Sequence, residues 1–151
     1  MKTLVNTSRF GILNVRSDRE IYFPDGLLGF ASFNYWFMLE AAADSPFFWL
    51  QSSQDPELAF VLTDPCLFKP EYRFGITSEQ MKGIWLHRIE DAICFVIVNR
   101  VDGQTTGNLA GPLVVNPHER LGVQVVLPGD DWTTREVLMP RQGANPASSQ
   151  G

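Results

Sequence analysis

His87 and His118, with Cys66 and Cys94, are the residues of this chain that could hold a metal or run nucleophilic chemistry. Their spacing suits neither. A structural zinc site needs close-set pairs such as Cys-x-x-Cys or His-x-x-x-His. None occurs, so no metal is expected. Asp91 and Glu119 each lie near one histidine, and Ser52, Ser53 and Thr63 carry hydroxyls, but no Gly-x-Ser-x-Gly elbow frames them. A Ser/His/Asp site assembled from distant positions stays open. Asp55 and Glu57 stand two apart beside Pro56. Paired carboxylates do acid–base work where their environments drive their pKa values apart, and a polar turn solvates both. Gly26 and Gly29 precede neither Lys-Ser/Thr nor a helix start, so they make no phosphate loop. The chain reads as a binding protein before an enzyme, with no cofactor.

The elements that would position these residues are mostly strands. Residues 4–8 and 12–15 flank Arg9-Phe10-Gly11 as a hairpin. Residues 20–23 form the next strand, ended by Pro24, which lacks a ladder donor. In the turn 25–30, Gly26 and Gly29 can take positive φ, and Leu27, Leu28 and Phe30 are expected to plug into the core. Residues 35–40, 47–52 and 58–63 continue the strands, with a turn at 53–57 and a stop at Asp64-Pro65. One short helix is expected at 77–82: Thr77 is its N-cap, Gln80 completes the capping box, and Gly83 is the stop. The apolar runs 92–98 and 113–115 suit central strands. Residues 123–127 alternate, and 132–138 are expected to be the last strand.

Short strands separated by Gly and Pro turns predict an all-β fold: a small β-barrel-like domain of short antiparallel strands with at most one or two short helices. One domain over residues 1–140 suits the length. Residues 141–151 hold no large apolar side chain and are expected to be a disordered tail.

The formal net charge is −5 with no run of Lys or Arg. This disfavours direct nucleic-acid binding, which uses a clustered basic face, and suits a basic protein surface instead. No apolar run approaches the ~20 residues of a membrane span. Residues 1–7 contain no apolar signal-peptide core, so a cytoplasmic protein with no membrane partner is expected. Cys66 and Cys94 then read as reduced thiols in apolar surroundings, although a disulfide stays open.

Trp36, Trp49 and Trp85 sit in or beside apolar strands and are expected in the core. Trp132, after Pro128-Gly129-Asp130-Asp131, is expected to be partly exposed. Asn108 and Asn116 bracket an apolar run with Pro112 in its middle. A proline there implies an edge or a bulge, and an edge can add a partner's strand. The other reading is that both asparagines bond locally in turns.

The chain resembles the bacterial flagellar assembly factor FliW family. The matching residues are Arg9-Phe10-Gly11, Phe23-Pro24-Asp25-Gly26-Leu27-Leu28-Gly29-Phe30, Pro46-Phe47-Phe48-Trp49-Leu50-Gln51-Ser52, Leu58-Ala59-Phe60, Asp64-Pro65, Tyr72, Asn108-Leu109, Pro112-Leu113-Val114-Val115-Asn116 and Gln124-Val125-Val126-Leu127. The match softens around Trp85-Leu86-His87-Arg88. The resemblance implies a small β-barrel-like protein without catalytic activity. It implies binding of flagellin in the cytoplasm and, once flagellin is exported, capture of CsrA, an RNA-binding repressor of flagellin translation, largely without competing for the RNA site. Partner-binding candidates are Asn108, Pro112 and Asn116, joined by Gln124 and Tyr72 from the matched motifs. Pro24, Gly26, Gly29, Phe30 and Trp49 are expected to be structural. The rival readings are a hydrolase and a small β-barrel module for a ligand or nucleic acid. The second would need aromatic faces interleaved with basic residues, of which Trp85-Leu86-His87-Arg88 is one isolated example.

Overall fold

The computed structural model describes residues 1–139. The expected tail at 141–151 lies outside the described residues. In chain order the strands are β1 (Lys2–Thr7), β2 (Gly11–Arg16), β3 (Glu20–Tyr22), β4 (Tyr35–Glu40), β5 (Phe47–Ser52), β6 (Ala59–Thr63), β7 (Ile93–Val101), β8 (Gln104–Gly107), β9 (Leu113–Asn116), β10 (Leu121–Gln124) and β11 (Glu136–Val137). Helix α1 spans Ser78–Gly83.

Strands β3 to β7 form an antiparallel meander, β7 pairs with β9, and β9 pairs with β10. The seven-stranded barrel closes where β10 meets β3 in parallel, at Leu121↔Tyr22. That parallel joint departs from the expected all-antiparallel order. On the edge away from β6, β7 serves two further neighbours because it is long: its start pairs with β9 and its end with β8. The β7–β8 turn is Asp102-Gly103, both with positive φ, the pairing that two-residue hairpin turns favour.

Side chains alternate across the wall, as strand geometry requires. Trp36, Leu50, Leu62, Phe95, Leu113 and Val115 fill the barrel with Phe23 and Leu27. Two further clusters lie outside it. Tyr72, Val96, Val98, Leu109 and Leu138 form one, and Ile84, Leu86, Val114 and Val125 the other. Hairpin β1–β2 is a separate two-stranded sheet. An isolated hairpin is marginal in water. This one is anchored by buried Val5 and Thr7 and by Ser8 N donating to Pro56 O at 2.9 Å.

The expected helix forms with both halves of its capping box: Gln80 N donates to Thr77 Oγ1 at 3.0 Å, and Thr77 N to Gln80 Oε1 at 2.8 Å. Several expectations need correction. The last strand is only two residues long, because residues 132–135 turn instead. Trp49 does not enter the barrel: its neighbours Phe48 and Leu50 point inward, so Trp49 faces out beneath the hairpin, edge-on to Phe10 and capped by the Arg9 guanidinium 4.6 Å from its ring centre. Leu28 and Trp85, expected inside, are 66% and 65% exposed.

Candidate partner-binding surface

The family motif 23–30 folds as a tight loop. Gly26 N donates to Phe23 O, and Leu27 and Phe30 bridge back to back. A Cβ on Gly26 would stand 2.4 Å from Phe30 O, and its φ is +65°, so both space and backbone conformation demand glycine. Gly29 also has positive φ. Phe30 is half-buried against Phe33 and Phe60, Leu27 is buried and Pro24 is exposed. The Asn34 side-chain amide donates to Phe23 O at 2.8 Å and Pro24 O at 3.1 Å, closing the loop.

Gln124 ties this loop to the motif at 108–112. Its Oε1 accepts from Leu28 N at 2.7 Å and its Nε2 donates to Gly111 O at 2.9 Å. Tyr72, buried, donates its hydroxyl to Leu109 O at 2.7 Å, and burial pushes that phenol's pKa upward. Val125 N donates to Pro112 O and Leu127 N to Ala110 O.

The edge expected at Pro112 does not exist. Pro112 is buried, and β9 directly after it is paired with β7 on one side and β10 on the other. The missing donor costs nothing here because the chain enters β9 from a loop at Pro112. Asn116, 4% exposed, bonds locally only through its Oδ1, while its amide reaches a distant turn. Its Nδ2 donates to Ile84 O at 2.9 Å and Trp85 O at 3.0 Å, and its Oδ1 accepts from His118 N at 3.1 Å. Asn108 is half-buried, and its Oδ1 has no hydrogen-bond partner among the described residues. Four of the five candidates, Asn108, Pro112, Gln124 and Tyr72, therefore gather around one loop, while Asn116 belongs to the next turn.

What these bonds hold outward is apolar. Leu28 projects from the loop that Gln124 fixes. Trp85 projects from the end of α1 with φ +57°. The bonds Leu86 N to Met81 O and Trp85 N to Lys82 O close that end in the paired pattern that normally places glycine in the left-handed position. A bulky residue there is strained. Trp85 is pinned by buried Ile84 and Leu86 on either side and by Asn116 behind. Sequence reasoning missed both residues. The usable signal at Trp85 was its place two residues after Gly83, where the chain leaves the helix.

The residues weighed for catalysis serve turns. Ser52 Oγ accepts from Gln54 N and Asp55 N, Thr63 Oγ1 donates to Pro46 O, and Asp55 Oδ1 accepts from Glu57 N. No three of His, Cys, Asp and Glu converge as a metal site among the described residues. Cys66 and Cys94 are free thiols, the first exposed and the second half-buried. Burial is the main cause raising both pKa values, that of Cys94 to about 12. No helix among the described residues is long and apolar enough to cross a membrane.

This is a small closed β-barrel whose motif residues build hydrogen-bonded loops and leave Leu28 and Trp85 exposed. A family model described as FliW protein matches residues 3–138, so the chain belongs to the FliW family. The chain is 36% identical to the flagellar assembly factor FliW of Moorella thermoacetica over 89% of its own length and 87% of that protein's. It is 35% identical to that of Natranaerobius thermophilus, over 92% and 94%. A crystal structure of the flagellar assembly factor FliW superposes with a TM-score of 0.83 at 29% identity, covering 93% of this chain and 99% of that one.

Proposed function

We propose that this protein is a non-enzymatic flagellar assembly factor that binds flagellin in the cytoplasm and, when flagellin is exported, binds and antagonises the translational repressor CsrA. Flagellin synthesis is thereby coupled to export. The observation that carries the reading is family membership over residues 3–138. The net charge of −5 supports association with a basic partner, and the outward Trp85 is of the residue type that most often anchors an interface. Calorimetry with purified monomeric flagellin, then with CsrA, tests it. Heat and co-elution with each partner, and displacement of one by the other, are expected. No binding to either partner at tens of micromolar, the weak end of specific association, or a stable ternary complex, contradicts the proposal.

A further inference from the structure

β2 and β4 diverge around an unfilled groove. β3 pairs with β4 only over Tyr35–Phe37, ending at Glu20↔Phe37. Beyond that point Met38, Leu39 and Glu40 pair with β5 on one side and with nothing on the other, among the described residues. The chain reaches β3 from β2 through the turn Ser17–Arg19, so β2 leaves β4 where the ladder stops. Among the described residues β2 pairs only with β1. Two open backbone edges therefore line a groove of about 410 Å³, whose wall includes Leu13, Val15, Arg16, Arg19, Met38 and Glu40.

We propose that this groove accepts an extended segment of a protein partner as an added strand, with an acidic side chain at the Arg19 end. Unpaired N–H and C=O groups along an edge are matched by another extended backbone. Leu13, Val15 and Met38 offer the apolar contacts that alternate residues of a strand can fill. The charges set the direction. Arg19 stands at the closed end and makes no ion pair among the described residues. Arg16 pairs with Asp18. Glu40 lies at the open end and disfavours a carboxylate there. The inference goes beyond the flagellin and CsrA reading and holds or fails independently of it.

The test uses the full chain and a fluorescein-labelled, amidated seven-residue peptide of alternating valine and threonine with glutamate at one end. Saturable binding with a Kd below about 1 mM is expected, with slowed amide exchange at residues 13–16 and 38–40. A version with proline at every second position, which lacks the donors, should bind at least about tenfold more weakly. Arg19→Glu should weaken binding by about threefold, the scale of a screened surface pair, at unchanged melting temperature, and Arg19→Gln by less. Arg100→Glu, on the remote β7–β8 hairpin, should leave it unchanged. No binding at about 1 mM, equal binding of the proline peptide, protection elsewhere, or indifference to Arg19→Glu overturns the proposal. So does dimerisation of the chain through these same amides, which would make a second copy the occupant.

Discussion

The side-chain amide of Asn116 donates to the carbonyl oxygen of Trp85 at 3.0 Å and so holds an exposed tryptophan in a left-handed backbone conformation. Asn116 is buried, and Trp85 is 65% exposed. One residue provides the restraint and the other is displayed by it.

Asn116→Ala should destabilise the fold rather than act on a partner directly. It leaves the carbonyls of Ile84 and Trp85 and the amide of His118 without their partners. Each buried unsatisfied group costs about 1–3 kcal/mol, partly recovered by water, so a loss of about 2–4 kcal/mol is expected. Urea denaturation measures it. An unchanged midpoint with lowered flagellin affinity would return Asn116 to the interface.

Trp85→Gly separates display from stability. Glycine relieves about 1–2 kcal/mol of left-handed strain and loses about 0.4–1 kcal/mol through the freer unfolded chain. The melting temperature should therefore hold or rise slightly. If Trp85 is a partner anchor, affinity for flagellin or CsrA falls by about 2 kcal/mol or more, the scale of an interface hot spot. A variant that melts lower and binds both partners unchanged shows that Trp85 is a scaffold residue.

Trp49→Ala should loosen the hairpin more than the barrel. Trp49 is half-buried beneath Phe10 and Arg9, so its loss should fall below the ~3–5 kcal/mol of a fully buried tryptophan. Amide exchange in β1 and β2 should quicken before that of β4 to β7. Uniform acceleration across the barrel would mean that Trp49 supports the core after all.

Much of the strand order was legible because its signals are local. Tyr35–Glu40 and Phe47–Ser52 were read with the observed bounds, since both are apolar runs bounded by turn residues. The Thr77/Gln80 capping box is a four-residue signal and needs no tertiary context. Strand β8, Gln104–Gly107, was missed because its polar sequence carries no alternation. It is a strand because Asp102-Gly103 turns it back onto β7, and that dipeptide was there to be read. Barrel closure was illegible in principle. Leu121↔Tyr22 joins residues 99 apart in sequence, which no window spans. The same limit explains Pro112: a proline predicts a missing donor, and only the fold shows whether that donor was needed. Leu28 and Trp85 were placed inside on residue type alone, and backbone conformation turned them outward.

The thiols give a pH prediction. Burial raises the Cys94 pKa from 9.0 to about 12 in the folded state. A raised folded value means that the folded state keeps its proton where the unfolded state has lost it. The associated stability is fully present below pH 9 and is lost as pH rises from 9 towards 12. Melting temperature should therefore fall with pH across that window. Tyr72, also shifted upward by burial, steepens the fall at its alkaline end. Cys94→Ala should flatten the slope while lowering stability at pH 7 through the lost packing against Val96 and its neighbours. Reactivity should divide the same way, because the thiolate is the reacting species. A disulfide reagent at pH 8 should modify exposed Cys66 first and half-buried Cys94 more slowly. Equal rates at both cysteines, or a melting temperature that is flat from pH 8 to about 11, would show that Cys94 is not shielded as its packing against the cluster of Tyr72, Val96 and Val98 requires.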